Sequence, residues 1–169
     1  MDQITFTQEV WKQILEASEK RYPREVCGLF FGPPEKQKNK FLHASKVDIL
    51  LNILEPQHSV RLEKLISIGM VSLPKERMER GGAFEFLIDP EEHCQKIMQA
   101  QQQGLDQIGL FHSHPDHPAK PSATDSSQPM LAGWSNIIVS VYQGQFKEAR
   151  SWFRNSETEP FQEQKIFVE

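Results

Sequence analysis

Two histidines one residue apart, at the end of an apolar run, constrain this chain more than any other feature. Ile108-Gly109-Leu110-Phe111 leads straight into His112-Ser113-His114-Pro115. In a strand, side chains alternate between faces, so His112 and His114 share one side and Ser113 points to the other. Their alpha carbons then stand about 7 Å apart, a spacing at which two imidazoles can converge on one ion. Asp125 would complete a set of nitrogen and oxygen donors. Three protein ligands leave a tetrahedral fourth position open to water, the arrangement of a catalytic rather than a structural zinc. The plainer readings are a surface histidine pair and a helix-capping aspartate, since helix N-termini favour acids. For Asp125 both roles can hold at once.

Bulk properties narrow the class. A chain of 169 residues makes one domain with a proper core, read here as residues 1–169. Hydrophobic residues at 38% and charged residues at 25% describe a globular chain, not a disordered one. A formal net charge of −4 offers no general attraction to nucleic acid or to an anionic membrane. The opening Met1-Asp2-Gln3-Ile4 lacks the basic and apolar regions of a secretory signal. No apolar run approaches the roughly 20 residues that span a bilayer. Cys27 and Cys94 are too few for a disulfide framework, which suits a reducing cytoplasm. Oligomeric state leaves no signal.

Periodicity supplies the elements. Residues 4–6 read as a first strand, and Thr7 caps a helix with Val10, Trp11, Ile14 and Leu15 on one stripe, ended by Pro23. Residues 26–31 form a buried strand closed by Gly32-Pro33-Pro34. A charged hairpin loop at 35–40 and a returning strand at 41–45 follow. Residues 46–82 have two readings, a helix packed on the core or an inserted segment that meets a substrate; within them 60–71 has helical spacing, 75–80 is charged, and Gly81-Gly82 is a hinge or turn. Residues 84–88 read as a strand. Asp89-Pro90-Glu91-Glu92 starts a helix that carries Cys94, Ile97 and Met98 and ends near Gly104. Residues 108–114 form the histidine-bearing strand. Ser122 and Asp125 open a helix running to about Leu131. Residues 137–142 and 146–153 make a hairpin around Gln143-Gly144-Gln145, and 165–168 a final edge strand. With few connections demanding a parallel crossover, this order predicts an α/β sandwich with one curved, mixed sheet between helices.

With these elements placed, the chain resembles the JAMM (MPN-plus) zinc metalloprotease family. That family's motif has the form H-[ST]-H-P-x6-S-x-x-D. Here His112-Ser113-His114-Pro115 is followed, six residues on, by Ser122-Ala123-Thr124-Asp125. Upstream, Glu25-Val26-Cys27-Gly28-Leu29 resembles the family's E-x-C-G stretch. The resemblance extends by element order over residues 4–153, and the run from His112 to Asp125 is similar to the bacterial branch in particular. It implies an MPN/cytidine-deaminase-like sandwich and one zinc ion per chain, held by His112, His114 and Asp125. It also implies Glu25 as general base and Ser122 as hydrogen-bond donor to the oxyanion. By residue type alone Glu25 is one acid among 23 Asp and Glu, and Ser122 is equally readable as a helix N-cap. Branch members are associated with ubiquitin-fold sulfur-carrier proteins, trimming their C-termini or releasing an attached amino acid such as cysteine. Bacterial relatives pass quickly over the stretch that is long here, 46–82, whereas eukaryotic relatives place a substrate-contacting insertion in a comparable position.

The expected function is hydrolysis of an amide or isopeptide bond at the C-terminal tail of a ubiquitin-fold or sulfur-carrier protein, with no nucleic-acid or membrane partner. A non-catalytic scaffold of the same fold, or a zinc amidase on small peptides, are the competing readings. The remaining histidines fit neither role. His117 as a fourth ligand would close the site to water and reads as a loop residue, and His43, His58 and His93 read as structural or solvated. Cys27 is expected to pack beneath the site, beside a glycine, Gly28, that permits close backbone approach.

Overall fold

The computed structural model describes residues 3–34, 42–80, 85–128 and 131–169. Among these, eight strands form one sheet: β1 (Gln3–Phe6), β2 (Cys27–Gly32), β3 (Leu42–Ala44), β4 (Lys46–Leu50), β5 (Asp106–Pro115), β6 (Ser135–Tyr142), β7 (Gln145–Phe153) and β8 (Gln162–Val168). Their order is β3-β1-β8-β7-β6-β5-β2-β4. The two end strands of that order, β3 and β4, are separated in sequence by Ser45 alone. The sheet therefore has to curl until its edges meet, and the Ser45 N–H donates to the carbonyl of Phe31 at 2.9 Å where they do. Pairings β1–β3, β1–β8 and β5–β6 are parallel and the others antiparallel.

Helices cover both faces. Helix α1 (Gln8–Arg21) starts where Thr7 accepts a hydrogen bond from the Val10 N–H, and buries Val10 and Ile14. They meet Phe6, Phe30, Phe111 and Val139 in the larger core cluster. On the opposite face, α4 (Pro90–Gln102) is capped by Asp89 through the Glu91 N–H and contributes Ala100, with Ile97 alongside, to a cluster of Leu29, Phe31, Phe86 and Leu110. Each fully buried phenylalanine contributes about 1.5–3 kcal/mol. A third, smaller cluster of Ile53, Leu54, Leu62, Leu65 and Val71 sits under α2 (Ser59–Ser67), followed by the short helix α3 (Lys75–Arg80).

A bulge sets which face carries the histidines. Phe30 pairs with Gly109 but Phe31 pairs with Gln107, leaving Ile108 as the extra residue. Beyond it the alternation resumes with Leu110 on the α4 side and Phe111 on the α1 side. His112 and His114 follow Leu110. At Gly28 a methyl group would overlap the Phe111 ring and the Asp48 carbonyl, so the close approach of β2 to its sheet neighbours β5 and β4 needs glycine here.

Several expected elements differ. Residues 42–44 do not return along β2; they pair in parallel with β1, and it is β4 that returns along β2. The first five residues of the 46–82 segment are thus a sheet strand. The hairpin loop at 35–40 and the Gly81-Gly82 hinge lie outside the described residues. Residues 85–88 form no ladder and make one bridge, Asn52 to Ile88. Cys94 and Met98 of α4 are exposed. The helix at the motif, α5 (Ala123–Ser126), is a single turn. Finally, β8 is no edge strand but lies between β7 and β1.

Candidate metal centre and its cavity

At the C-terminal end of β5 the chain turns through the motif loop into α5 and on to the parallel strand β6. His112 Nε2 and His114 Nε2 stand 3.1 Å apart. Asp125 Oδ1 is 3.3 Å from the first and Oδ2 is 3.6 Å from the second. Two bonds of about 2.05 Å to a tetrahedral ion span about 3.3 Å, so the three side chains have the spacing of a shared-ion site. Among the described residues they are the one trio of His, Cys, Asp or Glu close enough to hold a metal. The donor chemistry also fits. His114 Nδ1 lies 2.9 Å from the Pro118 carbonyl, an acceptor, so Nδ1 carries the proton and the lone pair of Nε2 faces the trio. The His112 ring stacks on Phe86 with centroids 4.6 Å apart.

The motif loop is tied down from several elements. Asp116, at φ 55°, takes a left-handed conformation that aspartate tolerates, and its carboxylate accepts from the Gln143 N–H and the Tyr22 hydroxyl. Ser140 donates to the His117 carbonyl and Trp152 Nε1 to that of Ala119. Ser122 and Asp125 form a reciprocal cap: the Asp125 N–H donates to Ser122 Oγ, while Ser122 N–H and Oγ–H both donate to Asp125 Oδ2 at 2.7 and 2.6 Å. The N-cap reading of Ser122 is thus seen directly, and the cap also aims the Asp125 carboxylate. Below α5, the buried Arg154 donates to the carbonyls of Ser126, Gln128 and Glu157. It has no carboxylate partner among the described residues, and its guanidinium lies over the Phe161 ring.

Glu25 precedes β2 and lines the same cavity of 330 Å³ as His114, Ser122 and Asp125. Ser113, on the far face of β5, fixes the neighbouring backbone: Val26 N–H donates to Ser113 Oγ and Ser113 N–H to the Val26 carbonyl, both at 2.9 Å. Asn52 is a second tether. Its amide donates to the carbonyls of Glu25 and Glu85, and its oxygen accepts from the N–H groups of Leu54 and Leu87. That one buried side chain joins Glu25 to the wall carrying Glu85 and Phe86. Sequence reading singled out neither Asn52 nor Arg154. An asparagine inside the apolar run 49–54 was the available signal for the first, because a buried amide must find partners; Arg154 had none.

Burial, then the charges of Asp125 and Glu85, push the Glu25 carboxyl well above its ordinary range. Burial would also raise Asp125, but His112, His114 and Ser122 more than offset it and hold the carboxyl low. Burial lowers His112 despite Asp125, which favours the neutral imidazole a metal requires. Cys27 lies beneath, fully buried, its thiol pushed up by burial and by Glu25, so it is packing rather than a nucleophile. His117 lines the cavity but stands outside the trio. His43 pairs with Glu169 and His93 with Gln107.

Known proteins share this architecture. Over 98% of this chain and 92% of its own, a solution structure from Desulfitobacterium hafniense superimposes with a TM-score of 0.69 at 22% identity. A JAB1/MPN domain protein from Archaeoglobus fulgidus does so with a TM-score of 0.50 at 18% identity, over 98% of both chains. The desampylase of Pyrococcus furiosus is 36% identical over 86 residues, half of this chain and 57% of that protein. The family described as prokaryotic homologues of the JAB domain matches residues 7–155, from the cap of α1 to just beyond β7. The chain belongs to that family.

Proposed function

We propose that this protein is a zinc-dependent hydrolase that cuts an amide or isopeptide bond at the C-terminal tail of a ubiquitin-fold or sulfur-carrier protein. The observation that carries the reading is a buried His-His-Asp trio, of which His114 and Asp125 line the same cavity as a buried, upshifted carboxyl. His112, His114 and Asp125 would hold one zinc ion, a metal suited to imidazole and carboxylate ligands. Bound there, zinc supplies a Lewis acid that polarises the scissile carbonyl and acidifies the attacking water to a pKa of about 7. Glu25, its carboxyl pushed upward by burial and by Asp125 and Glu85, would in its ionised form take a proton from the attacking water and return it to the leaving amine. Ser122, released from Asp125 Oδ2, turns its hydroxyl to the oxyanion. Family membership and the partial match to a desampylase support the substrate class. Both cysteines are free, in keeping with a cytoplasmic setting. No helix among the described residues is long and apolar enough to cross a membrane.

The test is zinc uptake by metal-free protein together with cleavage of tail-extended ubiquitin-fold carriers. Glu25→Gln should retain zinc and lose about 10²–10⁴-fold in rate. Equal cutting by the variant removes Glu25 from the chemistry, and failure of the wild type to take up zinc sinks the hydrolase.

A further inference from the structure

Between Pro115 and Ala123 the chain follows neither strand nor helix, yet it must bring His114 and Asp125 to one point. Its course is set at Asp116, just past the end of β5, where a φ of 55° turns the backbone into the left-handed region. Two residues on stands Pro118, whose carbonyl lies 2.9 Å from His114 Nδ1. That bond decides which nitrogen of His114 keeps its lone pair and where the lone pair points. A turn that drifts at Asp116 carries the Pro118 carbonyl with it, and the imidazole follows.

Asp116 is held by both of its oxygens. Oδ1 accepts from the Gln143 N–H at 3.0 Å, in the turn between β6 and β7, and Oδ2 from the Tyr22 hydroxyl at 2.7 Å. Tyr22 caps the end of α1, its own N–H donating to the Glu19 carbonyl. Its ring packs against the larger core cluster, beside Gly144 of that same turn, where a Cβ would stand 3.7 Å from it. Among the described residues, its hydroxyl makes the one hydrogen bond that joins α1 and its cap to residues 116–122. Packing asks only for an aromatic ring at this position. What the hydroxyl adds is its bond to Asp116.

We propose that Tyr22 is a positioning residue for His114: through Asp116 it fixes the turn that aims the Pro118 carbonyl at Nδ1, and with it the Nε2 lone pair at the trio. The end of α1 is thereby coupled to the metal site. The use of that coupling rests on the hydrolase reading above; the coupling itself can be read in protein without metal.

The test separates the two. In metal-free, ¹⁵N-labelled protein the His114 Nδ1–H resonance is followed, and in Tyr22→Phe that proton should exchange about tenfold faster than in wild type. A second arm measures zinc affinity by chelator competition. Tyr22→Phe should loosen zinc about tenfold, the low end of what losing a group that supports a ligating histidine costs. Asp116→Gly keeps the left-handed turn, removes both acceptors and should cost at least as much; adding Tyr22→Phe to it should cost nothing further. Asp116→Asn keeps an oxygen for the Gln143 N–H and an amide that can donate to the phenol, so it should stay near wild type. As a control, Ser18→Ala removes a hydroxyl bonded within α1 to the Ile14 carbonyl. It should lower the melting temperature while leaving His114 exchange and zinc affinity unchanged. Wild-type exchange in Tyr22→Phe, losses that add in the double variant, or equal damage from Ser18→Ala overturns the coupling. Where zinc binds, unchanged affinity in Tyr22→Phe overturns it as well. A wild type that takes up no zinc brings down the hydrolase, and the exchange arm then decides the coupling by itself.

Discussion

The end of β5 and the segment facing it, residues 51–89, build one cavity by opposite means. On the β5 side the donors come from a short stretch of chain, His112 to Asp125, where strand alternation and a one-turn cap place each atom locally. On the facing side most of the ties are distant in sequence. Phe86 and Glu85 are positioned by the Asn52 amide, by Arg77 on Glu85, by Arg61 on Asp89 and Glu91, and by Arg21 on Glu55. A metal site can thus be written in a motif, while the wall that shapes access to it is held by scattered single contacts. The two halves should fail differently when broken.

The largest effect belongs to the motif side. His112→Ala should lower zinc affinity by more than the roughly 100-fold typical of losing a supporting residue, and abolish hydrolysis; a chelator competition reads the first. Next comes Arg154→Met, remote from the trio, which leaves the carbonyls under α5 unpaired. It should weaken zinc about 10–100-fold and destabilise the fold by about 1–3 kcal/mol; unchanged affinity would mean that the cap alone holds Asp125. Asn52→Leu strikes the facing wall. It should destabilise by about 1–3 kcal/mol and cut kcat/KM, with zinc affinity intact. Loss of zinc in that variant would erase the distinction between the halves.

The smallest effect is electrostatic. A carboxyl whose folded pKa is raised favours folding while protonated and disfavours it once the pH passes that value. In metal-free protein, Glu25→Gln should therefore melt higher than wild type at pH 7–8, by about 2–4 °C for each kcal/mol of relieved burial. The gap should close toward pH 4, where the wild-type carboxyl is neutral as well. A gap that widens on acidification would contradict the raised pKa.

The sequence makes the motif half legible because its information is periodic. Alternation through 110–114 put both histidines on one side, and Thr7, Asp89 and Ser122 announced their helices. Neighbourhood in the sheet was another matter. An apolar pattern tells which face of a strand is buried but not which strand lies beside it, so β3 was set beside β2 and β8 at an edge. Residues 84–88 alternate like a strand, yet the backbone of Glu85 and Leu87 is satisfied largely by the Asn52 side chain instead of a ladder. Glu25 was selected by resemblance, and its distance in sequence from the trio is bridged by Ser113, a residue the alternation had only pointed away.

The placement of β1 carries a consequence for how the protein assembles. Its partners are β3 and β8, and it is sewn to the residue after β8 by Gln8 N–H to the Glu169 carbonyl and Glu169 N–H to that of Phe6, each at 3.0 Å. Contacts of such sequence separation form late, because the intervening loop must first be closed. During synthesis β1 must wait for β8 before its pairing is complete. The histidine strand and its hairpin neighbours are synthesised in between, so the ligands can gather before the sheet is finished.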